Sequence, residues 1–195
     1  EGAKKPYPKT LCVSVNETVV HGLPGPYRLK EGDLVKLDLG LKFQGFYLDS
    51  AVTLGVGRLS ALAEKLIQTT ERSLKLAIAQ ARPGRTLGDI GSTIEDCVRK
   101  NHFSVIRSLT GHGIGRALHE EPNVLNFGRP DPDLRLAPGM VLAIEPMISS
   151  SDLSQGCKIK ERPDGSFATF DDSLAAHFEH TVAVTEAGPR VLTCL

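Results

Sequence analysis

The chain of 195 residues is long enough for one domain with a substantial core, and its composition, 41% hydrophobic and 24% charged, is ordinary for a globular protein. Its 23 basic and 23 acidic residues balance to a formal net charge of zero, so composition gives no support for binding to nucleic acid or to an anionic membrane. We find no apolar run of membrane-spanning length and no secretion signal. The four cysteines form no CxxC pair, which indicates reduced thiols and a cytoplasmic protein.

The first predicted element is a β-hairpin over residues 10–21. Two runs rich in β-branched residues flank Asn16-Glu17, which is typical of strands joined by a tight turn. A turn centred there would pair Val15 with Thr18 and place Cys12 opposite His21. The next segment, residues 22–33, is rich in glycine and proline and predicts a loop.

A second hairpin is predicted over residues 34–56, with its turn around residues 44–45. A two- or four-residue turn would place Gly40 opposite Asp49. Asp38 would then share a face with Asp49 as a diagonal neighbour, about 7–8 Å away by Cα spacing. A three-residue turn with a bulge would disturb this parity. Because two buried carboxylates repel each other unless they are partnered, the pair predicts a shared cation.

Two helices follow the second hairpin. The first covers residues 60–82, with Ser60 as its N-cap and Arg82-Pro83-Gly84 at its end. The second opens at or near Thr86 and runs to about Lys100. Further strand-like segments lie near residues 103–109, 140–148 and 180–186, and a loop rich in Pro and Asp is predicted at 121–138. Few, long helices between hairpins favour an α+β fold over alternating βαβ units.

Three more candidate ligands lie outside the hairpins. His112 lies within Gly-His-Gly-Ile-Gly, Glu145 ends an apolar strand-like run, and Glu179 lies within His-Phe-Glu-His-Thr. The glycines around His112 do not form a dinucleotide-binding loop, because that motif requires glycine where the chain has Arg116. His119 follows seven positions after His112, so one histidine could bind a metal while the other contacts substrate.

Four carboxylates would neutralise two divalent cations without excess charge. One histidine with four carboxylates suits Mn²⁺, Fe²⁺ or Co²⁺, with Zn²⁺ also open, and does not resemble a closed structural zinc site. Two such ions can activate a shared water for attack on an amide, and a carboxylate can pass the proton to the leaving amine. A serine or cysteine nucleophile has weaker support, since no GxSxG motif occurs.

Four long segments, in the same order along the chain, closely resemble the type I methionine aminopeptidases, which have the creatinase/aminopeptidase or "pita-bread" fold. These segments are residues 12–24, 111–122, 138–147 and 178–186. The resemblance implies a curved antiparallel sheet covered by helices and a single catalytic domain over residues 1–195. Within this sequence we find no counterpart of the family's further N-terminal helical segment.

The resemblance also implies a role for each site residue. The five metal ligands, binding two divalent ions of Co, Mn, Fe or Zn, would be Asp38, Asp49, His112, Glu145 and Glu179. Asp49 and Glu179 would contact both ions, and Glu145 would also shuttle the proton. His119 would contact the scissile amide, and His21 would lie near the nitrogen of the second substrate residue. The substrate-binding set implied in this way is His21, His119, Tyr7, Cys12, Leu118 and Phe167.

The implied reaction removes the N-terminal methionine from new polypeptides whose second residue is small. Nascent chains and methionyl peptides would be the substrates of a cytoplasmic monomer that associates with the ribosome and uses neither a specific nucleic acid nor a membrane. Two alternatives stay open, an X-Pro dipeptidase or aminopeptidase of the same fold and a non-catalytic pita-bread binding module. Met147 after Glu145-Pro146 favours the methionine enzyme, and the complete ligand set disfavours the binding module.

Overall fold

The computed structural model describes residues 7–129, 135–151 and 157–194. The elements before residue 101 are β1 (Cys12–Val15), β2 (Thr18–Val20), β3 (Leu34–Phe43), β4 (Phe46–Gly55), α1 (Ala61–Ile78) and α2 (Leu87–Lys100). The later elements are β5 (Ser104–Val105), β6 (Gly111–Gly113), β7 (Glu120–Val124), β8 (Val141–Ile144), β9 (Met147–Ser149), β10 (Ile159–Glu161), β11 (Phe167–Thr169), β12 (Ala175–His177), β13 (Glu179–Thr185) and β14 (Gly188–Val191).

One antiparallel sheet of eight strands dominates the described structure. Its strands follow the order β1-β3-β4-β13-β8-β6-β7, and β14 pairs with β13 outside this path. Strand β13 therefore joins the early hairpin to the strands from the second half of the chain. Two three-stranded sheets, β10-β11-β2 and β12-β9-β5, complete the β structure. With two helices beside these sheets, the predicted α+β class is confirmed.

The hairpin of β3 and β4 has the predicted register. Gly40 lies opposite Asp49, and Asp38 lies opposite Ala51, so the two aspartates are diagonal neighbours on one face. The two-residue turn uses Gln44 and Gly45, both with positive φ (49° and 85°), as in the turn type that matches strand twist. No bulge interrupts the ladder between residues 34 and 55.

The first predicted hairpin is wrong in its pairing, although both strands exist. Strand β1 pairs with β3, with Cys12 opposite Asp38, and β2 pairs with β11. The turn between them is tied to β3 by Asn16, whose side chain donates to Asp33 Oδ1 (2.9 Å) and accepts from the backbone N–H of Leu34 (2.9 Å). These hydrogen bonds hold the turn against the start of β3, and β1 pairs with β3 instead of with β2. Strand β2 pairs with β11.

The helices begin where the sequence predicts them. The Ser60 side chain accepts a hydrogen bond from the backbone N–H of Ala63 and caps α1, and Thr86 forms a reciprocal capping box with Asp89 at the start of α2. Helix α1 ends at Ile78, four residues earlier than predicted, because the chain turns before Pro83. None of the described helices is long and apolar enough to cross a membrane.

The predicted segments in the second half are partly corrected. The segment at 103–109 contains only the two-residue strand β5, and the segment at 140–148 divides into β8 and β9 at Glu145-Pro146. The predicted loop at 121–138 begins as strand β7, and its residues 130–134 lie outside the described residues. Strand β13 accounts for the segment at 180–186.

The two faces of β13 have different neighbours. Val182 and Val184 are buried in the main apolar cluster, together with residues of α1, α2 and β8. Because side chains alternate along a strand, Glu179 and Thr181 point to the opposite face. The helices therefore cover one side of the sheet, and the polar residues of interest gather on the other.

Candidate active site

The five predicted metal ligands come together around one cavity. Asp38 and Asp49 reach it from β3 and β4, and His112 reaches it from the middle of β6. Glu145 follows the last residue of β8, and Glu179 is the first residue of β13. The complete lining of the cavity is Val20, His21, Asp38, Asp49, Leu109, Thr110, His112, His119, Glu145, Met147, His177 and Glu179.

Three of these side chains form a tight buried group. Asp49, His112 and Glu179 each offer one ligand atom, and the three atoms lie within 4.8 Å of one another. Glu145 lies beside this group, with its Oε1 3.5 Å from His112 Nε2. His112 Nδ1 donates to the carbonyl oxygen of Gly113 (2.8 Å), which leaves the lone pair of Nε2 free for a cation.

The carboxylates of this group are unfavourably placed as free anions. Burial raises the pKa of Asp49 to about 6, and the neighbouring Glu145 raises it further. Burial also raises the pKa values of Glu145, Glu179 and Asp38. Within the described residues, Glu179 Oε1 is buried without a hydrogen-bond partner. Clustered buried oxygens of this kind, with one imidazole, fit a divalent cation in both charge and donor chemistry.

Hydrogen bonds fix the seam between β4 and β13 directly at the site. Thr181 Oγ1 accepts from the backbone N–H of Asp49 and donates to its carbonyl oxygen, both at 2.8 Å. Ser50 Oγ donates to the carbonyl oxygen of Glu179 (3.1 Å). The side-chain amide of Asn126 donates to the carbonyl oxygen of Glu145 (3.0 Å). The backbone beside three carboxylates is therefore held by side-chain hydrogen bonds.

Two of the predicted substrate residues, His21 and His119, line the cavity. The ring of His119 meets that of His112 edge to face, with centroids 4.4 Å apart. His21 has a positive φ of 59°, an uncommon conformation for a histidine, and its ring meets Phe167 edge to face at 5.8 Å. Burial lowers the pKa of His21, so its neutral form is favoured.

The other four predicted substrate residues lie beside the cavity rather than among its lining residues. The Tyr7 hydroxyl donates to the carbonyl oxygen of Gly22 (2.8 Å), which follows His21. Cys12 pairs with Asp38, and burial raises the pKa of its thiol to about 11. Leu118 lies against Gly40, where an added Cβ would be 3.5 Å from Leu118 Cδ1.

Sequence reasoning missed His177 as a cavity residue. Its side chain is 1% exposed, and its Nε2 lies 3.4 Å from Glu145 Oε2. Burial lowers the pKa of His177. A usable signal was present: His177 precedes Glu179 by two positions, the spacing that places side chains on one face of an extended chain.

Lys36 was also missed, as a fully buried lysine close enough to His177 to affect it electrostatically. Its Nζ donates to the carbonyl oxygens of Asn16 and Ala175. Burial lowers the pKa of Lys36 to about 7. The strand pattern contained its signal, since Lys36 and Asp38 are two positions apart on β3.

Comparison with known proteins identifies the family. The profile of metallopeptidase family M24 matches residues 1–186. The methionine aminopeptidase of Clostridium perfringens is 47% identical over 190 residues, covering 97% of this chain and 75% of that protein. Methionine aminopeptidase 1 of Bacillus subtilis is 44% identical over 185 residues, covering 94% of this chain and 73% of that protein.

Solved structures agree with the sequence relatives. Methionine aminopeptidase from Thermotoga maritima superposes with a TM-score of 0.90 at 44% identity, covering 95% of this chain and 74% of that one. A prolidase from Pyrococcus horikoshii has a TM-score of 0.72 at 24% identity, with 99% and 49% covered, which shows the shared fold alone. The chain thus spans about three quarters of the length of the methionine aminopeptidases it matches.

The fold, the buried carboxylate cluster and the family match define a metallopeptidase of family M24. Within that family the chain belongs to the methionine aminopeptidases. The predicted pita-bread fold and the predicted metal-dependent aminopeptidase are confirmed, and the X-Pro peptidase alternative is not favoured. Metallopeptidases of family M24 use divalent metal, and the methionine aminopeptidases within it act on N-terminal methionyl peptides.

Proposed function

We propose that the enzyme removes the initiator methionine from polypeptides with a small second residue and uses two divalent cations held by the five ligands. The observation that supports this best is the buried group of Asp49, His112 and Glu179, with ligand atoms within 4.8 Å of one another. Asp38 and Glu145 line the same cavity and complete the set. When bound, such cations would polarise the scissile carbonyl and lower the pKa of a bound water molecule. Mn, Fe, Co and Zn all suit these ligands.

Glu145 is proposed as the group that moves the proton. Its side chain is 12% exposed, so water does not compete strongly for the carboxylate. Burial raises its pKa, and a carboxylate with a raised pKa accepts a proton near neutral pH more readily than an exposed one does. The same group then gives that proton to the departing amine, which must leave as a neutral species.

The two substrate histidines are proposed to hold the peptide at the reacting bond. The His119 ring lies against His112 and can reach the scissile amide from the ligand side. The His21 ring lines the cavity just after β2, and its proposed role is to contact the nitrogen of the second substrate residue. The methionine side chain would lie among Tyr7, Cys12 and the remaining pocket residues Leu118 and Phe167.

The wider setting of the enzyme is part of the same proposal. Nascent chains emerging from the ribosome are the natural pool of N-terminal methionine, so we propose action at or near the ribosome in the cytoplasm. We also propose that residues 1–195 form a single catalytic domain that works as a monomer, because all proposed ligands come from one chain. Neither a specific nucleic acid nor a membrane is needed for this chemistry.

The proposal is tested by removing metal with a chelator and then titrating Mn²⁺, Co²⁺ or Fe²⁺ during hydrolysis of Met-Ala-Ser. Release of methionine that returns with two equivalents of metal is expected, with little cleavage of an X-Pro peptide. Absence of metal binding, or preference for the X-Pro peptide, would overturn the proposal.

A pair of variants tests the role of Glu145. Glu145→Ala is expected to lose activity by a factor of about 100 or more with the fold intact, since general acid–base groups contribute that much. Glu186→Ala, which removes an exposed carboxylate outside the cavity lining, is the matched control and should behave as wild type. Full activity of Glu145→Ala would exclude its role as the proton carrier.

A further inference from the structure

The carboxylate of Glu145 lies between two imidazole rings. Its Oε1 is 3.5 Å from His112 Nε2, and its Oε2 is 3.4 Å from His177 Nε2. His112 belongs to the proposed ligand set, and His177 does not. Each oxygen of this carboxylate therefore faces a different histidine, and only one of the two histidines has a proposed role.

His177 is buried in a way that requires an explanation. The residue is 1% exposed, and within the described residues neither ring nitrogen has a hydrogen-bond partner. Buried polar atoms without partners destabilise a fold. The ring lines the cavity, so it faces the site rather than the apolar core.

The backbone of His177 is firmly held. Its N–H donates to Thr53 Oγ1 (2.8 Å), and Thr53 Oγ1 donates in turn to its carbonyl oxygen (2.7 Å). His177 also pairs with Met147 in the ladder between β12 and β9. Because Met147 follows Glu145 by two positions, this ladder connects the histidine to the same stretch of chain as the carboxylate.

We propose that His177 is a positioning residue for Glu145. In the metal-loaded site its Nε2–H would donate to Glu145 Oε2, and this would turn Oε1 towards His112 and the proposed cation. The separation of 3.4 Å is slightly longer than an ordinary N–H···O bond, and hydrogen bonds in ligand-free sites often shorten once the site is loaded. Partners of this kind orient a metal's ligands, and their loss typically lowers metal affinity or activity about 10–100-fold.

A direct metal ligand is the competing role for this histidine. The 3.4 Å approach of Nε2 to Glu145 Oε2 is the observation that favours positioning, and the double-mutant cycle below separates the two roles. The inference rests on the proposed role of Glu145, so its test has to distinguish failure of the inference from failure of that proposed role.

The first test compares two variants whose side chains both end in an amide and differ only in length. The amide nitrogen of His177→Gln falls near the position of Nε2, whereas that of His177→Asn falls near Nδ1, too short to meet Glu145. Metal is titrated into each metal-free protein and its affinity is measured by calorimetry. We expect His177→Gln to keep most of the metal affinity and most of the kcat of wild type. His177→Asn should lose about 10–100-fold in metal affinity or kcat with KM little changed. Equal behaviour of the two variants, or loss in both, would overturn the inference.

A matched control is available on the adjacent strand. His180 is partly buried, and its ring bonds to Thr193 Oγ1 (2.9 Å) rather than lining the cavity. His180→Asn is expected to keep wild-type metal affinity and kcat. A loss there equal to that of His177→Asn would show that any histidine change in this segment disturbs the site, and the inference would fail.

The second test is a double-mutant cycle on metal affinity with Glu145→Ala, His177→Asn and the double variant. If His177 acts through Glu145, the double variant should bind metal no more weakly than Glu145→Ala alone. Losses that multiply would make His177 an independent ligand and would overturn the inference. If His177→Asn had the metal affinity and kcat of wild type while Glu145→Ala was inactive, the inference alone would fail. If Glu145→Ala was fully active, the proposed role of Glu145 would fail.

Discussion

Asp49 lies in the interior of β4 with 8% of its surface exposed, in a cluster of like charges. Without a cation, burial and the nearby Glu145 raise the pKa of its carboxyl from 3.8 to about 6. The folded protein therefore holds this proton more tightly than the unfolded chain does. The contribution of the group to stability is complete below pH 3.8 and is lost as the pH rises through about 6.

This shift predicts a stability difference that depends on pH. Metal-free Asp49→Asn should become more stable relative to metal-free wild type as the pH rises from about 4 to about 7, by up to about 3 kcal/mol. Urea unfolding of both proteins across this range measures the difference. Saturating metal should reverse the trend, because a cation favours the ionised carboxylate. A difference that stays constant with pH in the metal-free proteins would contradict the prediction.

The proposed ligands could be selected from the sequence because carboxylates inside strand-like segments are chemically unusual. Asp38 and Asp49 followed from hairpin parity, and their register is as predicted. His177 was missed despite its two-residue spacing from Glu179, since a histidine in an apolar segment is ordinary. Its significance depends on Glu145 being close in space, which local sequence does not reveal.

At the scale of elements, the glycines of β6 allow strands to approach closely around His112. A Cβ built on Gly113 would lie 2.2 Å from the carbonyl oxygen of Glu121 on β7. Gly111 is similarly close to Ala143 on β8, at 2.3 Å. Neither contact can be relieved by a side-chain rotation, because both involve backbone atoms.

Gly113→Ala is accordingly expected to destabilise the protein by about 2 kcal/mol or more and to reduce activity, since the clash displaces β6 and His112 with it. Thermal unfolding and hydrolysis of Met-Ala-Ser measure the two effects. Gly25→Ala is the control, because its nearest atom, the carbonyl oxygen of Leu23, is 3.9 Å from the added Cβ. Comparable behaviour of the two variants would refute the steric argument.

The capping box of α2 should affect stability without affecting chemistry. Thr86 Oγ1 accepts from the backbone N–H of Asp89 (3.1 Å), and Asp89 Oδ2 accepts from that of Thr86 (2.8 Å). Thr86→Ala is expected to lower the free energy of unfolding by about 1 kcal/mol, whereas Thr86→Ser keeps most of it. No residue of α2 lines the cavity, so kcat should be unchanged in both. A fall in kcat for the Ala variant would show coupling between helix and site.

Helix starts and the second hairpin were predictable because their signals are local. Ser60, Thr86 and the turn at residues 44–45 act within a few positions of themselves. The pairing of β1 with β3 was not predictable, since it depends on which strand lies beside β1 in the folded sheet, and local sequence does not reveal this. The end of α1 was also misplaced by four residues, because the turn before Pro83 begins earlier than the proline itself indicates.

At the scale of the whole molecule, the proposed metal site connects distant parts of the chain. The early hairpin supplies Asp38 and Asp49, while the later strands supply the other ligands. Cations bound between them would act as a link across the seam of β4 and β13. Stability and metal content should therefore change together.

Chelation is expected to lower the melting temperature and to abolish activity, and added Mn²⁺ should restore both. At free metal about 100 times its Kd, one site stabilises the fold by about 2.7 kcal/mol. Differential scanning calorimetry with and without chelator measures this shift. An unchanged melting temperature would mean that the ligands do not bridge the two parts of the sheet through metal.

The central position of β13 also has a consequence for biosynthesis. The hydrogen bond from Ser50 to Glu179 spans 129 positions of the chain. At about 5–20 residues per second, several seconds pass between synthesis of the two partners. During that interval the aspartates of the hairpin lack Glu179, one of the proposed ligands. With Glu179 in that role, activity is expected only once β13 has been made and has entered the sheet, so an unfinished chain should be inactive.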